Sequence, residues 1–225
     1  MSGSDPAASP LILVIDTAAG RCAAALIESE RVISAREECL ERGHSERLFP
    51  LIEACLAEAG RACRDIGLIA VSTGPGNFTG ARIGVAAARG LALSTGARAI
   101  GVDRLEALAE GRDGPVCVAL NARGGALHIA RFVNGALAGA AETLSPAAGA
   151  DRAAGAAVIG DGASALIAAG GVGRAGGEGE EAALATIAGV ALRKARAGDA
   201  PRPAPRYLRP VNAAPARDGP PAILP

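Results

Sequence analysis

Hydrophobic residues in the first part of the chain fall into runs that end at turn-forming residues. The unbroken apolar run LILVIDTA predicts a buried strand, and two further runs follow at the spacing of β-hairpins. The three predicted strands are residues 11–18, 22–28 and 31–38. We therefore expect the chain to begin with three consecutive strands.

The period changes from two to 3.6 in the stretch HSERLFPLIEACLAEA, which predicts a helix over His44–Ala59. We expect Ser45 to cap its start and Gly60 to stop it. Its apolar stripe consists of Leu48, Ile52, Cys55 and Ala59, widened by Phe49, Leu51 and Leu56.

Another strand, helix and strand follow this first helix. The predicted strands are residues 67–74 and 97–103, and the helix between them ends near Thr95 and is closed by Gly96. The order of three strands, helix, strand, helix, strand is that of a ribonuclease-H-like lobe, a mixed sheet with helices on its faces.

The second half of the chain has a weaker pattern. Predicted strands are residues 115–122, 126–133 and 156–163, predicted helices are residues 164–169 and 180–197, and a Gly-rich loop is predicted for residues 168–180. We interpret this half as a second, smaller lobe that resembles the first. The predicted division is a flexible N-terminus at 1–10, lobes at 11–103 and 104–197, and a Pro-rich tail at 198–225 that is extended or disordered.

Composition narrows the function classes. Lys and Arg total 23 and so do Asp and Glu, so the chain lacks the long-range field that attracts nucleic acid. The odd number of Cys, with no C-x-x-C pair, favours free thiols in a reducing compartment. The N-terminal residues do not have the pattern of a signal peptide, and the longest apolar helix is too short to span a bilayer. We therefore expect a cytoplasmic protein.

The Gly-rich stretch STGPGNFTGARIGVAAARG connects the fourth strand to the second helix, where phosphate-binding turns often lie. A P-loop needs Lys and Ser or Thr after its last Gly, but Ala81 and Arg82 follow Gly80. The spacing also differs from G-x-G-x-x-G. We expect Asn77 or Thr79 to cap the helix, which leaves an anion site as one alternative.

Small residues recur at Gly80, Gly84 and Ala88, so one face of the second helix has almost no side chains. Such a face permits close packing of a neighbouring backbone, and this offsets the cost of about 1 kcal/mol for each Gly inside a helix. We favour close packing, within the fold or against a partner helix, over phosphate binding.

A carboxylate at the end of the first strand could orient Mg²⁺ and a nucleotide, or it could cap a hairpin turn. The candidate nucleotide-binding positions, interpreted as vestigial, are Asp16, Thr17, Gly74, Gly76 and Thr79. The turn at residues 160–163, GDGA, is either a second phosphate turn or an ordinary strand–helix turn.

The inventory of ligands predicts neither a metal site nor a catalytic residue. His44 and His128 are the two His residues, they lie far apart, and no metal-binding spacing is present. No Cys has a local sequence that would lower its pKa, so all five are expected to be small core residues.

The stretch STGPGNFTGARIGVAAARGLA resembles the signature G-P-G-S-F-T-G-L-R-I-G of the TsaB (YeaZ-like) family, with Asn77 and Ala81 as departures. The segments LILVIDTA, GHSERLFPLI, GVDRLEALA and RYLRP agree in order. The family segment D-A-R-x-x-E-V-Y reads NARGGALH here, with Asn121, Ala126 and His128 at the altered positions.

The resemblance implies an α/β fold of the actin-like ATPase type, with two ribonuclease-H-like lobes, mixed sheets, helices on both faces and a reduced second lobe. It also implies a subunit without catalytic residues in the bacterial machinery that makes threonylcarbamoyladenosine next to the tRNA anticodon. Its expected partners are the catalytic paralogue TsaD, which uses a metal held by two His, the ATPase TsaE, and a second copy of itself when alone. Contact with tRNA is expected only through those partners.

On this resemblance, the first two helices form the partner interface, with Leu48, Ile52, Gly80, Gly84 and Ala88 as the expected contact residues. A Leu at Gly84 would then leave the fold intact and block pairing. We expect no tightly bound cofactor, with ATP or ADP at a subunit boundary as an open alternative. The other functions left open are a small-molecule kinase or ATPase that uses Asp16 and the Gly turns, and a metallopeptidase.

Overall fold

The computed structural model describes residues 9–40, 42–175, 183–198 and 201–208. Within these ranges the helices are α1 (His44–Ala59), α2 (Phe78–Thr95), α3 (Arg104–Ala109), α4 (Pro146–Gly149), α5 (Ala163–Ala168) and α6 (Leu184–Ala197). The strands are β1 (Leu11–Asp16), β2 (Arg21–Glu28), β3 (Arg31–Cys39), β4 (Ile66–Ser72), β5 (Arg98–Val102), β6 (Pro115–Asn121), β7 (Leu127–Val133), β8 (Ala136–Leu137), β9 (Glu142–Leu144), β10 (Ala157–Ile159) and β11 (Arg174–Ala175).

The first sheet has the order β3-β2-β1-β4-β5. Strands β1, β2 and β3 are antiparallel neighbours, whereas β4 is parallel to β1 and β5 is parallel to β4. Helices α1 and α2 pack on one face through the alternate residues Leu13, Ile15, Ile69 and Val71. The predicted ribonuclease-H-like lobe is confirmed, because the mixed sheet and its covering helices appear in the expected order.

The second sheet repeats this arrangement with shorter strands. Its order is β11-β10-β6-β7-β8, and β9 also pairs with β7. The pair β6 and β7 is antiparallel, whereas β10 and β11 run parallel to β6. Two mixed sheets of the same topology, the second reduced, are the predicted actin-like fold.

The two sheets share one core between them. Val14, Ala70 and Ile100 on the second face of the first sheet lie in the same apolar cluster as Val118 and Phe132 of the second sheet. Helices α3 and α6 contribute to this cluster as well. The predicted division of the chain into lobes at residue 103 stays a prediction, and α6, which was assigned to the second lobe, packs on the first sheet.

Local details differ from the sequence expectations at several places, among them one helix cap, one helix and one strand. The N-cap of α1 is Gly43, in the left-handed region at φ 86°, rather than Ser45, whose hydroxyl donates to Glu46 inside the helix. Helix α3 was not predicted, and strand β11 lies in the segment predicted to be a loop. The predicted helix ends at Gly60 and Gly96 are confirmed, because both residues are left-handed caps.

The part of the tail at residues 201–208 lies along the carboxyl edge of the first sheet. Pro203 is buried against Gly101, and the N–H of Arg206 donates to the carbonyl of Thr73 at 2.9 Å. The guanidinium of Arg206 pairs with Asp103 at 2.6 Å. This segment has no helix or strand, and it is docked on the sheet. The predictions for residues 1–8 and 209–225 lie outside the described residues.

Candidate functional site

Asp16 ends β1 at the carboxyl edge of the first sheet, and its side chain is buried. Arg21 donates to its Oδ2 from Nε at 3.1 Å and from Nη2 at 2.9 Å, and the N–H of Ala18 donates to Oδ1 at 3.2 Å. Arg21 also pairs with Glu37 at 3.0 Å. Both oxygens of Asp16 therefore have partners within the chain, and its charge is neutralised by Arg21. This geometry supports the turn-cap interpretation.

Thr17 packs directly against the first turn of α2. Its hydroxyl donates to the carbonyl of Gly80 at 2.7 Å. A Cβ on Gly80 would lie 1.9 Å from the carbonyl oxygen of Thr17, and a Cβ on Gly84 would lie 2.4 Å from its Oγ1. Real Cβ atoms do not approach other atoms so closely. The small-residue face of α2 therefore provides close packing within the fold.

The Gly-rich turn before α2 folds down onto the β1–β2 turn. The N–H of Asn77 donates to the carbonyl of Ala18 at 2.8 Å, and Nη1 of Arg104 donates to the carbonyl of Pro75 at 3.0 Å. Gly76 has φ 151°, and a Cβ there would lie 2.2 Å from the oxygen of Ala18. Gly74 has φ 93°. The turn therefore needs its glycines for backbone conformation and for close approach.

The start of α2 is capped by its own chain. Oδ1 of Asn77 accepts from the N–H of Gly80 at 2.9 Å, whereas Thr79 is exposed on the first turn. Of the two predicted caps, the structure selects Asn77.

The five candidate nucleotide-binding residues thus lie at two turns that contact each other, the β1–β2 turn and the turn before α2. The side chains of Asp16 and Thr17 bond to the chain itself. A Mg²⁺-nucleotide requires a free carboxylate and free N–H groups, and here Arg21 neutralises the carboxylate and Asn77 caps the helix. These residues do not fit a resident nucleotide in this arrangement. A nucleotide at a boundary with another subunit stays a prediction.

The five expected interface residues are buried in the folded chain. Leu48 and Ala88 are fully buried, and Ile52 is 1% exposed. Gly80 and Gly84 are buried against Thr17. Their side of α1 and α2 faces the sheet, so these positions must be corrected: a partner would have to contact other faces of the two helices.

The outward face of α1 and α2 carries an apolar groove, which we call the α1–α2 groove. Its lining residues are Ser45, Phe49, Ile83, Ala86, Ala87, Gly90, Leu91 and Ser94. Phe49 is 47% exposed there, although it is one of only four aromatic residues in the chain. Sequence reasoning included Phe49 in the wide stripe of α1 but missed the α2 side, where a second set of small residues recurs with helical spacing.

The two His residues lie on different elements, His44 on helix α1 and His128 on strand β7. His44 starts α1 and is buried, and its Nε2 has no hydrogen-bond partner among the residues that the structure describes. His128 lies on β7, where its Nδ1 is 2.8 Å from Oγ1 of Thr143. Within the described ranges, no three His, Cys, Asp or Glu side chains are grouped as metal ligands.

The second Gly turn, at residues 160–163, packs on the end of β6. The N–H and Nδ2 of Asn121 donate to Oδ1 and to the carbonyl of Asp161, both at 2.8 Å. A Cβ on Gly160 would lie 2.3 Å from the carbonyl oxygen of Ala119. This geometry supports an ordinary strand–helix turn, in which Asn121 has a structural role.

The five thiols differ in exposure. Cys22, Cys55 and Cys117 are buried, whereas Cys39 and Cys63 are exposed, which corrects the expectation that all five are core residues. Burial raises the pKa of Cys22 and of Cys117 to about 11, and it also raises the pKa of Cys55. Because the thiolate is the nucleophile, the buried thiols are not activated.

We therefore expect Ellman's reagent, applied to the native protein at about pH 8, to react rapidly with Cys39 and Cys63 alone, since the other three thiols are protonated and shielded. The remaining three should react after unfolding in guanidinium. Mass spectrometry of the labelled peptides identifies the sites. Rapid labelling of Cys22 or Cys117 in the folded protein would contradict this assignment.

Of the helices in the described ranges, none combines the length and apolar character that a membrane span requires.

Residues 31–209 match the family model described as TsaD: tRNA N6-adenosine threonylcarbamoyltransferase. The chain is 37% identical over 126 residues to the tRNA threonylcarbamoyladenosine biosynthesis protein TsaB of Escherichia coli (strain K12), covering 54% of each chain. It is 36% identical over 131 residues to the protein of the same name from Bacillus subtilis (strain 168), covering 56% of this chain and 57% of that one.

Among solved structures, the chain is similar to YeaZ from Pseudomonas aeruginosa, with a TM-score of 0.72 and 26% identity, over 86% of this chain and 95% of that chain. The alignments with curated relatives are shorter: the chain spans about half the length of those it matches. The sequence resemblance is thus strongest over part of the chain, whereas the structural similarity extends over most of it.

Proposed function

Because the chain belongs to the family that the TsaD model describes, and within it to the TsaB (YeaZ-like) branch, we propose that it is a partner subunit without catalytic residues of its own. The proposed complex makes threonylcarbamoyladenosine next to the tRNA anticodon. Its catalytic member is a TsaD-type paralogue, and a TsaE-type ATPase joins it. Alone, the chain pairs with a second copy of itself in the cytoplasm.

The observation that carries this proposal is that the polar groups of the β1–β2 turn bond to the chain itself, whereas the α1–α2 groove is exposed to solvent. At the β1–β2 turn the carboxylate of Asp16, which a nucleotide site would need for Mg²⁺, accepts two hydrogen bonds from Arg21. On α1 and α2, by contrast, an apolar groove with a half-exposed Phe49 faces solvent. A surface of this kind is typical of a protein interface.

The kinase or ATPase alternative is not favoured. It needs Asp16 free to orient Mg²⁺, and Arg21 holds that carboxylate through two hydrogen bonds. A metallopeptidase needs a set of metal ligands, and the described residues do not bring one together.

The test is reconstitution of tRNA modification with the paralogue and the ATPase from the same genome, with ATP, threonine and the threonylcarbamoyl donor supplied. Threonylcarbamoyladenosine is measured by mass spectrometry after digestion of the tRNA. We expect modification in the complete mixture, a loss of at least about tenfold when the chain is omitted, and none with the chain alone. Unchanged modification without the chain would overturn the proposal.

A further inference from the structure

Three of the four aromatic side chains lie on the surface. Phe49, Phe78 and Tyr207 are 47%, 40% and 44% exposed, whereas Phe132 is buried. Phe78 is the first residue of α2 and Tyr207 belongs to the docked tail, yet their ring centroids are 5.2 Å apart. Two distant segments of the chain therefore build one exposed aromatic cluster.

The guanidinium of Arg82 completes this cluster. Its carbon lies 3.6 Å from the ring centroid of Phe78 and 5.5 Å from that of Tyr207. Nε of Arg82 donates to the hydroxyl of Tyr207 at 2.7 Å. A stacked ring and a directed hydrogen bond therefore restrict a side chain that would otherwise be mobile. We call Phe78, Arg82 and Tyr207 the arginine clamp.

The tail holds the clamp in place. Next to Tyr207, the N–H of Arg206 donates to the carbonyl of Thr73, and its guanidinium pairs with Asp103. Thr73 and Asp103 directly follow β4 and β5, so the carboxyl ends of these strands hold Arg206 and, with it, the neighbouring Tyr207 that orients Arg82.

In the part of the chain that the structure describes, no carboxylate pairs with the guanidinium of Arg82, whereas other exposed arginines, such as Arg47 and Arg61, each pair with a Glu. Because Tyr207 takes Nε, the two Nη groups remain available as a fixed pair of donors. Such a planar fork matches a carboxylate.

We propose that the arginine clamp binds a carboxylate of the catalytic paralogue at one end of the α1–α2 groove; this rests on the function proposed above. Arg82 and Ala86 are four residues apart on α2, and Ala86 lines the groove. A partner that covers the groove therefore reaches the clamp. Preorganisation of the arginine lowers the entropy lost on binding.

A nucleic acid is a poorer match for the same surface. The face of Phe78 is covered by the guanidinium, so a base cannot stack on that face. Phosphate binding gains affinity from several cations together, whereas Arg206 beside the clamp is neutralised by Asp103 and the formal net charge of the whole chain is +0. The clamp therefore favours a single acidic group on a protein.

The experiment compares dissociation constants for the paralogue, measured by calorimetry at low and high salt, for the wild type, Arg82→Gln, Arg82→Lys and Tyr207→Phe. Arg64→Gln, which removes an exposed charge just before the opposite end of β4, is the matched control. We expect Arg82→Gln to weaken binding at least about tenfold at low salt and to reduce its salt dependence. Arg82→Lys and Tyr207→Phe should weaken binding less, and Arg64→Gln should have no effect. Circular dichroism confirms that each variant is folded.

An Arg82→Gln variant that binds the paralogue within about twofold of the wild type would overturn this inference and leave the proposed function standing. An Arg82→Gln variant that binds the paralogue normally but binds the TsaE-type ATPase more weakly would also overturn this inference and leave the proposed function standing. A wild-type chain that does not bind the paralogue at all would overturn both.

Discussion

Gly80→Ala is expected to lower the free energy of unfolding by about 3 kcal/mol or more, a larger loss than for an ordinary surface substitution. The added Cβ would lie 1.9 Å from the carbonyl oxygen of Thr17 and 3.0 Å from its carbonyl carbon. These are backbone atoms at the end of β1, so the clash cannot be relieved by rotation of a side chain. Either α2 moves away from the sheet or the bond from Thr17 Oγ1 to Gly80 breaks.

Gly90→Ala is the matched control in the same helix. A Cβ on Gly90 would have no other atom within 4 Å. We therefore expect this change to raise the free energy of unfolding by up to about 1 kcal/mol, through helix propensity alone. Urea unfolding followed by circular dichroism measures both variants. Equal stability of Gly80→Ala and the wild type would show that α2 does not need the close contact with Thr17.

The sequence predicted the first lobe well because its elements are marked by strong local signals. Helix α1 has the predicted bounds, since an apolar stripe and the terminal Gly60 act together. In the second lobe, β10 and β11 have only three and two residues, too few for a periodic pattern. Strand β11 was therefore missed inside a Gly-rich segment.

The orientation of α2 could not be predicted from its small residues. Gly80, Gly84 and Ala88 form one stripe, and Ala86 and Gly90 belong to another. Both stripes lack large side chains, so hydrophobicity does not distinguish the face against the sheet from the face toward solvent. The structure shows that Gly80 and Gly84 of the first stripe pack on Thr17, that Ala88 lies in the core, and that the second stripe lines the groove.

The pairing of Asp16 with Arg21 also required the structure. The two residues lie on either side of the β1–β2 turn: Asp16 is the last residue of β1 and Arg21 is the first residue of β2. Sequence reasoning considered the carboxylate as a metal ligand or a turn cap, and it did not consider a cation from the adjacent strand. The arginine clamp was missed for a similar reason, since Phe78 and Tyr207 are brought together only by the docked tail.

Phe49→Glu is expected to raise the dissociation constant for the catalytic paralogue at least about 100-fold. The side chain lies in the α1–α2 groove, where a partner would bury it, and a charge placed there would lose hydration without a compensating partner. Because Phe49 is 47% exposed in the isolated chain, the substitution should leave the fold intact. Leu137→Glu, at a residue 48% exposed on β8 of the second sheet, introduces the same charge away from the groove and should not affect binding.

The most direct measurement of the central claim is size-exclusion chromatography with light scattering on mixtures of the paralogue with the wild type, Phe49→Glu or Leu137→Glu. Each variant is first checked for folding by thermal unfolding. The wild type and Leu137→Glu are expected to elute with the paralogue as one complex, and Phe49→Glu is expected to elute separately from it. A folded Phe49→Glu variant that forms the complex as fully as the wild type, or a wild type that forms none, would contradict the claim that this chain is a partner subunit acting through α1 and α2.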